Sequence, residues 1–212
     1  GRPFYYIDNG YMGNLMKKKK YYRVVKNNIQ HTKIKSGMPS DRYLDLCQFA
    51  PYMNYYGKKA LQSGPILLVT PSEKPCQFYN LDKKRWVEET VAEIKKYTDR
   101  PIVIREKGLR PDRIKDNSVA SQCARDQIYA VVTYQSMAAL EAMHYGIPAF
   151  TLAPSCVDSV SNRNLSDIEN PNYPAEDKFL NLLHYLSYCQ YTLDEINRGV
   201  ALSMIEEMEL YD

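Results

Sequence analysis

The 212-residue sequence lacks the signatures of several common protein classes. It contains neither GxGxxG nor GxxxxGKS/T, so a standard dinucleotide-binding fold and a P-loop ATPase are poorly supported. No apolar run approaches the roughly 20 residues that a membrane-spanning helix needs, and the polar, aromatic start does not resemble a signal peptide. We therefore expect a cytoplasmic protein with no membrane partner.

Cysteine is scarce and scattered. The five cysteines are an odd number, and no two of them form a CxxC pair. This pattern argues against a disulfide framework and against a zinc site, and it favours a reducing, intracellular setting. We predict that most of the cysteines are small buried core residues, and we expect neither a metal nor a bound cofactor.

The positive charge is concentrated in the first third of the chain. Residues 1–65 have a charge balance of +9 and residues 66–212 a balance of −6, which gives the net charge of +3. A basic segment of this kind indicates an anionic partner or an ordinary solvated surface. The basic residues between 17 and 42, which begin with the run Lys17–Lys20, are the candidate contacts for DNA.

From residue 66 onward, apolar strands alternate with amphipathic helices. Ile66–Val69 and Ile102–Ile104 are continuous apolar runs, typical of buried parallel strands. Strand–helix–strand spacing of this kind predicts βαβ crossovers, and therefore an α/β fold class with a Rossmann-like parallel sheet, flanking helices and a small N-terminal segment. The predicted strands are 4–7, 21–26, 66–69, 102–104, 128–133 and 149–152; the predicted helices are 82–97, 116–125, 136–145, 175–189 and 192–208, and residues 27–64 are expected to be rich in loops.

Polar residues follow three of the predicted parallel strands. In an open parallel sheet, ligands bind beyond the carboxyl ends of the strands. The loop after the first strand carries Ser72 and Lys74, the next carries Arg105 and Lys107, and the third delivers Ser136 to the start of a helix. Cations, hydroxyls and helix N-termini all favour anions, so we predict a site for a phosphorylated ligand at this edge.

The segment from Ser136 to Pro148 is the most specific feature of the sequence. It places Glu141-Ala142 on a helix that is followed by Gly146 and Pro148. In this pattern the chain resembles the C-terminal domain of GT-B glycosyltransferases, where a helix reading E-A-x-x-x-G-x-P lies between two strands. The resemblance implies a nucleotide diphosphate sugar as donor, with Glu141 on the ribose hydroxyls and Ser136 on the diphosphate.

Two further points refine the resemblance. Many retaining members have a second Glu at the position of Thr133, so retaining chemistry is not implied. Segments such as Pro71–Lys74 and Gln190–Ile196 are similar to bacteriophage-encoded glycosyltransferases, some of which modify hydroxymethylated bases in phage DNA. We therefore expect residues 1–65 to be a basic, tyrosine-rich, partial acceptor side, and residues 66–212 to be the nucleotide-sugar-binding domain with its C-terminal helices.

An inverting transferase needs a base to deprotonate its acceptor hydroxyl. Asp8, at a strand end beside a glycine turn, is the first candidate, although an aspartate there is also typical of an Asx turn. His31 is the second candidate, with a structural histidine as the alternative. His144 is expected to be packed in its helix, while Asp158 and Glu169 lie in a polar loop that could contact the sugar.

The sequence favours a glycosyltransferase that moves a sugar from a nucleotide diphosphate donor to a hydroxyl acceptor, with hydroxymethylated DNA bases as the suggested acceptor. Two alternatives stay open. One is a phage protein that binds a nucleotide or a host protein without catalysis. The other is a DNA-binding protein without catalysis, for which the run Lys17–Lys20 is the main support.

Overall fold

The computed structural model describes residues 2–13, 20–49, 57, 59, 62–106 and 118–210. The chain forms two compact units, each described separately below. The terminal unit consists of Gly1–Asn54 with Glu176–Asp212, and the central unit consists of Tyr55–Ala175. The strands are β1 (Tyr5–Asn9), β2 (Tyr21–Lys26), β3 (Ile66–Val69), β4 (Ile102–Arg105), β5 (Ala130–Thr133), β6 (Ala149–Thr151) and β7 (Gln190–Thr192).

The helices frame these strands in both units. In chain order they are α1 (Asp41–Phe49), α2 (Glu73–Tyr79), α3 (Lys83–Ile94), α4 (Val119–Arg125), α5 (Ala138–His144), α6 (Glu176–Tyr188), α7 (Leu193–Asn197) and α8 (Val200–Leu210), with a 3₁₀ turn at Leu165–Asp167. Among the described residues, no helix is both long and apolar enough to cross a membrane.

The central unit contains a four-stranded parallel sheet in the order β4-β3-β5-β6. Its strands are short apolar runs, and β3 and β5 are buried along their whole length. Alternate residues point to opposite faces of a strand, so Leu68 packs into one core with Trp86, while Leu67 packs into another with Cys123. The predicted α/β fold with a Rossmann-like parallel sheet is confirmed.

The terminal unit contains an antiparallel sheet in the order β1-β2-β7. One face of this sheet packs against α8, where Val24 and Tyr191 meet Ala201 and Ile205. Because β7 pairs with β2, the C-terminal helices group with the N-terminal segment. This division differs from the predicted boundary at residue 65, which joined those helices to the parallel sheet.

The C-terminal region also differs from the predicted single helix over 192–208. Thr192 ends β7 and caps α7 through a reciprocal capping box with Glu195. Gly199, with a φ of +79°, then separates α7 from α8, because a left-handed residue cannot continue a helix. All five cysteines are free, and three of them (Cys123, Cys156 and Cys189) are buried while the other two are partly exposed.

Candidate functional site

The strand order of the central unit creates a topological switch point between β3 and β5. From β3 the chain crosses to β4 on one side and then returns to β5 on the other side. Loops that leave neighbouring strands in opposite directions open a crevice at the carboxyl edge of an α/β sheet, and ligands bind there. Thr70 and Tyr134 are the first residues beyond the two strand ends.

Thr133 ties these two strand ends together. Its Oγ1 donates to the carbonyl of Val69 at 3.1 Å and accepts the N–H of Ser136 at 3.3 Å. Thr133 is fully buried. The residue that stands where many retaining GT-B enzymes have a second Glu is therefore a structural link in this protein.

Ser136 lies at the turn between β5 and α5. Its Oγ accepts the N–H of Ala138 at 3.2 Å, and α5 begins at Ala138, two residues later than predicted. A serine hydroxyl carries one proton and two lone pairs. Within the described part of the chain, no acceptor takes that proton, so Ser136 can still donate to a ligand oxygen.

Glu141 reaches from α5 to the start of α4. Its Oε1 accepts the backbone N–H of Ala120 at 3.2 Å, while Ser118 caps the same helix through the N–H of Ser121. The carboxylate of Glu141 is partly exposed. One of its contacts is therefore structural, which the resemblance to GT-B enzymes did not indicate, and its contact with a ribose stays a prediction.

Arg105 approaches the same helix from the end of β4. It is buried, and its Nη1 donates to Oε1 of Gln122 at 2.5 Å. Burial raises the pKa of the Cys123 thiol on α4 to about 12, with a further rise from the charge of Glu141 and an opposing effect from Arg105. The structure thus brings Arg105 and Glu141 together at α4, although they are far apart in sequence.

Ser72 and Lys74 lie at the start of α2, where the sequence predicted only a loop. Ser72 is the N-cap residue but makes no side-chain capping bond, and Lys74 is an exposed residue of the first turn. Between β3 and this helix, the Oγ1 of Thr70 is buried without a hydrogen-bond partner among the described residues. Thr70 is a candidate that sequence reasoning missed, because burial of a single hydroxyl has no local signal.

Lys107 lies outside the described residues, as do Lys17, Lys18 and Lys19 of the basic run. Of the other basic residues between 17 and 42, Arg23 is buried, and Arg42 pairs with Glu195 at 2.8 Å. These two guanidinium groups form contacts within the terminal unit. A contact between this segment and DNA would therefore depend on its lysines.

The two acidic residues of the polar loop after β6 have different environments. Asp158 accepts the N–H of Ser155 at 2.8 Å and pairs with Arg163 at 2.5 Å, and burial raises the pKa of its carboxyl group. Glu169 instead pairs with Arg100, just before the amino end of β4. Ligands bind at the carboxyl edge, so this position argues against the suggested sugar contact of Glu169, which stays a prediction.

Asp8, the first candidate base, belongs to the terminal unit. Its Oδ2 accepts the hydroxyl of Tyr6 at 3.0 Å and lies 3.4 Å from Nη2 of Arg23. Its Oδ1 accepts the N–H of Asn9 at 2.9 Å. The carboxylate thus forms a local hydrogen bond from side chain to backbone. Such a bond belongs to the structural role that was the alternative to catalysis.

His31, the second candidate base, is held by Tyr11. The Tyr11 hydroxyl lies 2.8 Å from Nδ1 of His31 and accepts the His31 backbone N–H at 2.9 Å. Burial, followed by the positive charge of Arg23, lowers the pKa of His31 to about 4. The guanidinium of Arg23 also lies over the Tyr11 ring, so Asp8 and His31 share one network.

His144 is packed, as predicted. It is buried in α5, and its Nδ1 lies 3.3 Å from the Leu140 carbonyl. Burial lowers the pKa of His144 to about 4. Among the residues that the structure describes, no group of three histidine, cysteine or acidic side chains could hold a metal ion.

Comparison with protein-family models and with curated proteins gives no match for this chain. Support for a function therefore comes from the fold, from the residues at the carboxyl edge of the parallel sheet, and from the motif between Ser136 and Pro148.

Proposed function

We propose that the central unit binds a nucleotide diphosphate sugar at the carboxyl edge of its parallel sheet, and that the protein transfers the sugar to a hydroxyl acceptor. The observation that carries the proposal is the switch point between β3 and β5. The motif residues that resemble GT-B enzymes follow β5 directly, so they lie at the position where an α/β sheet binds ligands.

The chemistry of the edge suits the two halves of a nucleotide diphosphate. Ser136 keeps a hydroxyl proton for a phosphate oxygen, and Lys74 adds an exposed cation on α2. Glu141 offers carboxylate oxygens to the two ribose hydroxyls, which it can accept in addition to the N–H of Ala120 because a carboxylate has about four lone-pair sites.

For the transfer step the candidate bases stay those that the sequence suggested, Asp8 and His31. A base works best when its pKa lies near the working pH, and His31, with a pKa of about 4, is a weak base. We propose hydroxymethylated bases of phage DNA as the acceptor. The lysines of the basic segment support a polyanionic acceptor.

A second candidate function is nucleotide binding without transfer. The contacts of Asp8 and the lowered pKa of His31 favour it, because both candidate bases are engaged in structural hydrogen bonds. In this case the protein would hold a nucleotide or nucleotide sugar but release no product.

The first experiment measures donor binding by thermal shift and calorimetric titration with UDP- and GDP-sugars. A ligand that binds the native state raises its stability. Glu141→Gln is the key variant, because its amide oxygen can still accept the Ala120 N–H while the negative charge is lost. We expect Glu141→Gln and Ser136→Ala to weaken binding about tenfold or more, with Glu88→Gln, an exposed change on α3, as the matched control.

The second experiment measures release of UDP or GDP in the presence of hydroxymethylated DNA. Release that disappears in Asp8→Asn supports transfer, while tight binding without release supports the second candidate. Unchanged affinity in both Glu141→Gln and Ser136→Ala would overturn the proposed donor site. Salt-sensitive DNA binding that survives these changes, without any nucleotide binding, would indicate a DNA-binding protein instead.

A further inference from the structure

A separate cleft lies in the central unit, beside the end of α3. It has a volume of about 340 Å³, and its lining comes from two segments, the end of α3 with Tyr97 and the stretch from Arg163 to Ser166, with Leu152 between them. This volume falls within the range of roughly 300–1,000 Å³ that is typical of small-ligand sites. None of the donor-site residues Ser72, Lys74, Arg105, Ser136 and Glu141 lines it.

The cleft combines apolar and aromatic surface with hydrogen-bonding groups. Tyr97, which is 41% exposed, supplies the accessible aromatic surface, whereas Leu165 is only 7% exposed. Aromatic side chains offer a flat apolar face together with a polar hydroxyl. Such a surface suits a ligand that has C–H groups on its faces and polar groups around its edge.

The charged groups of the cleft are already neutralised by the protein. Glu93 pairs with Lys96 at 2.6 Å and accepts the Tyr97 hydroxyl at 3.1 Å. Arg163 pairs with Asp158 at 2.5 Å and donates to the Thr151 carbonyl at 3.1 Å. The cleft therefore presents balanced charge, and an ionic ligand would have to compete with these pairs. A neutral ligand can instead use the spare donor and acceptor positions of the guanidinium and the carboxylate.

Asn164 adds a neutral polar group at the same place. It is exposed, it is the N-cap residue of the 3₁₀ turn, and its side chain makes no capping bond. An amide carries two donors and one acceptor oxygen. Together with Glu93 and Arg163, it can donate hydrogen bonds to the hydroxyl groups of a ligand and accept hydrogen bonds from them.

We propose that this cleft binds one ring of a neutral carbohydrate. A sugar ring has an apolar C–H face for the ring of Tyr97, and a hydroxyl edge for Asn164, Glu93 and Arg163. The site is distinct from the donor site and does not depend on transfer. If transfer occurs, the cleft is a place where a glycan, as substrate or product, is held by a sugar unit that does not react.

The test is a titration of isotope-labelled full-length protein, followed by NMR, with glucose, galactose, mannose and N-acetylglucosamine at millimolar concentrations. We expect at least one sugar to cause saturable shifts of the Tyr97, Asn164 and Leu165 amides. Tyr97→Ala should weaken this binding about tenfold, and Tyr97→Phe, which keeps the ring, should leave it within about twofold. Asn164→Ala should also weaken it, while Glu88→Ala, outside the cleft on α3, should not.

Three outcomes would overturn this inference. One is that none of the four sugars shifts these amides. Another is that Tyr97→Ala and Asn164→Ala, with otherwise unchanged spectra, leave the affinity unaltered. The third is that inorganic sulfate binds at the cleft and the sugars do not. Sugar-induced shifts confined to the region of Ser136 would likewise exclude the cleft, yet they would be compatible with the proposed donor site, so the two proposals can fail separately.

Discussion

The carboxylate of Glu141 accepts the backbone N–H of Ala120 at 3.2 Å, which joins α5 to the first turn of α4. The first N–H groups of a helix have no partner within the helix. Ser118 satisfies one of them in α4, and Glu141 satisfies another from a different helix. The residue proposed to bind the ribose therefore also stabilises the fold, and its two roles must be separated by experiment.

We expect Glu141→Ala to lower the free energy of unfolding by about 1 kcal/mol, because the N–H of Ala120 loses its acceptor. Glu141→Gln keeps an acceptor oxygen and should stay within about 0.5 kcal/mol of the unchanged protein. Urea unfolding of both variants measures the difference. Equal losses of stability would show that the charge of Glu141, rather than its hydrogen bond to Ala120, is what stabilises α4.

Two histidines whose pKa values are lowered to about 4 should make the protein sensitive to acid. His31 and His144 have pKa values of about 4 in the folded protein, against an ordinary value of 6.5. Between these values the unfolded chain binds protons that the folded chain does not. Stability is therefore fully present above pH 6.5 and falls as the pH drops toward 4, by about 1.4 kcal/mol per pH unit for each histidine.

His144→Leu tests the contribution of the central unit. Leucine removes the titrating ring but keeps an apolar side chain in the buried site. The number of protons taken up on unfolding, which sets the slope of stability against pH, should therefore fall by about one. Urea unfolding at several pH values between 4 and 6.5 gives the slope for both proteins. If the slopes are the same, His144 does not titrate below its ordinary range and its proposed environment is incorrect.

Much of the fold could be predicted because its signals are local. The apolar run Ile66–Val69 is β3, and Gly146 lies after α5, where the motif places it, with a φ of +89°. Helix α2 was missed, although Pro75 stands in its first turn, where the absent N–H of proline removes no helical hydrogen bond.

The parts that could not be predicted depend on contacts between distant residues. Strand β7 has three residues, and it exists because Tyr191 pairs with Tyr22 of β2. The meeting of Arg105 and Glu141 at α4 has the same origin, since helix packing decides it. A periodic pattern shows which face of an element is buried, but it does not show which other element covers that face.

Arg100 and Glu169 form a bidentate ion pair at the amino end of the parallel sheet. Nε of Arg100 lies 3.0 Å from Oε1 of Glu169 and Nη2 lies 2.9 Å from Oε2, while the guanidinium stacks 3.6 Å from the centre of the Tyr129 ring. The Arg100 side chain is only 17% exposed. A bidentate, partly buried pair contributes more than an exposed one.

We therefore expect Arg100→Lys to reduce the free energy of unfolding by about 2 kcal/mol, because lysine cannot make the bidentate and stacked contacts. The matched control is Arg85→Lys. Arg85 also pairs with a glutamate, Glu89, but its side chain is 76% exposed, so the change should leave the free energy of unfolding nearly unaltered. Similar effects of the two substitutions in urea unfolding would contradict the structural role of the Arg100 pair.

Glu169→Gln separates structure from sugar binding. The substitution weakens the pair with Arg100, so stability should fall. Because Glu169 lies at the edge of the sheet opposite to the proposed donor site, the affinity for a nucleotide sugar should not change. The comparison requires calorimetric titration at a temperature where both proteins are folded. A loss of affinity without a loss of stability would instead support a role for Glu169 in sugar binding.

Gly146 and Gly199 provide a matched test of the turn that follows α5. Both have a left-handed backbone, with φ values of +89° and +79°. A Cβ at Gly199 meets no atom within 4 Å, whereas a Cβ at Gly146 would lie 2.0 Å from the carbonyl oxygen of Gly57. Gly199→Ala should therefore lower the free energy of unfolding by only about 1 kcal/mol, the cost of a left-handed alanine. Gly146→Ala should lower it by at least about 3 kcal/mol, since the backbone must also move. Unfolding in urea, with intact secondary structure as the criterion for folding, gives both values. Equal losses would mean that the Gly146 turn does not pack against Gly57, and that the glycine of the motif is needed only for its backbone conformation.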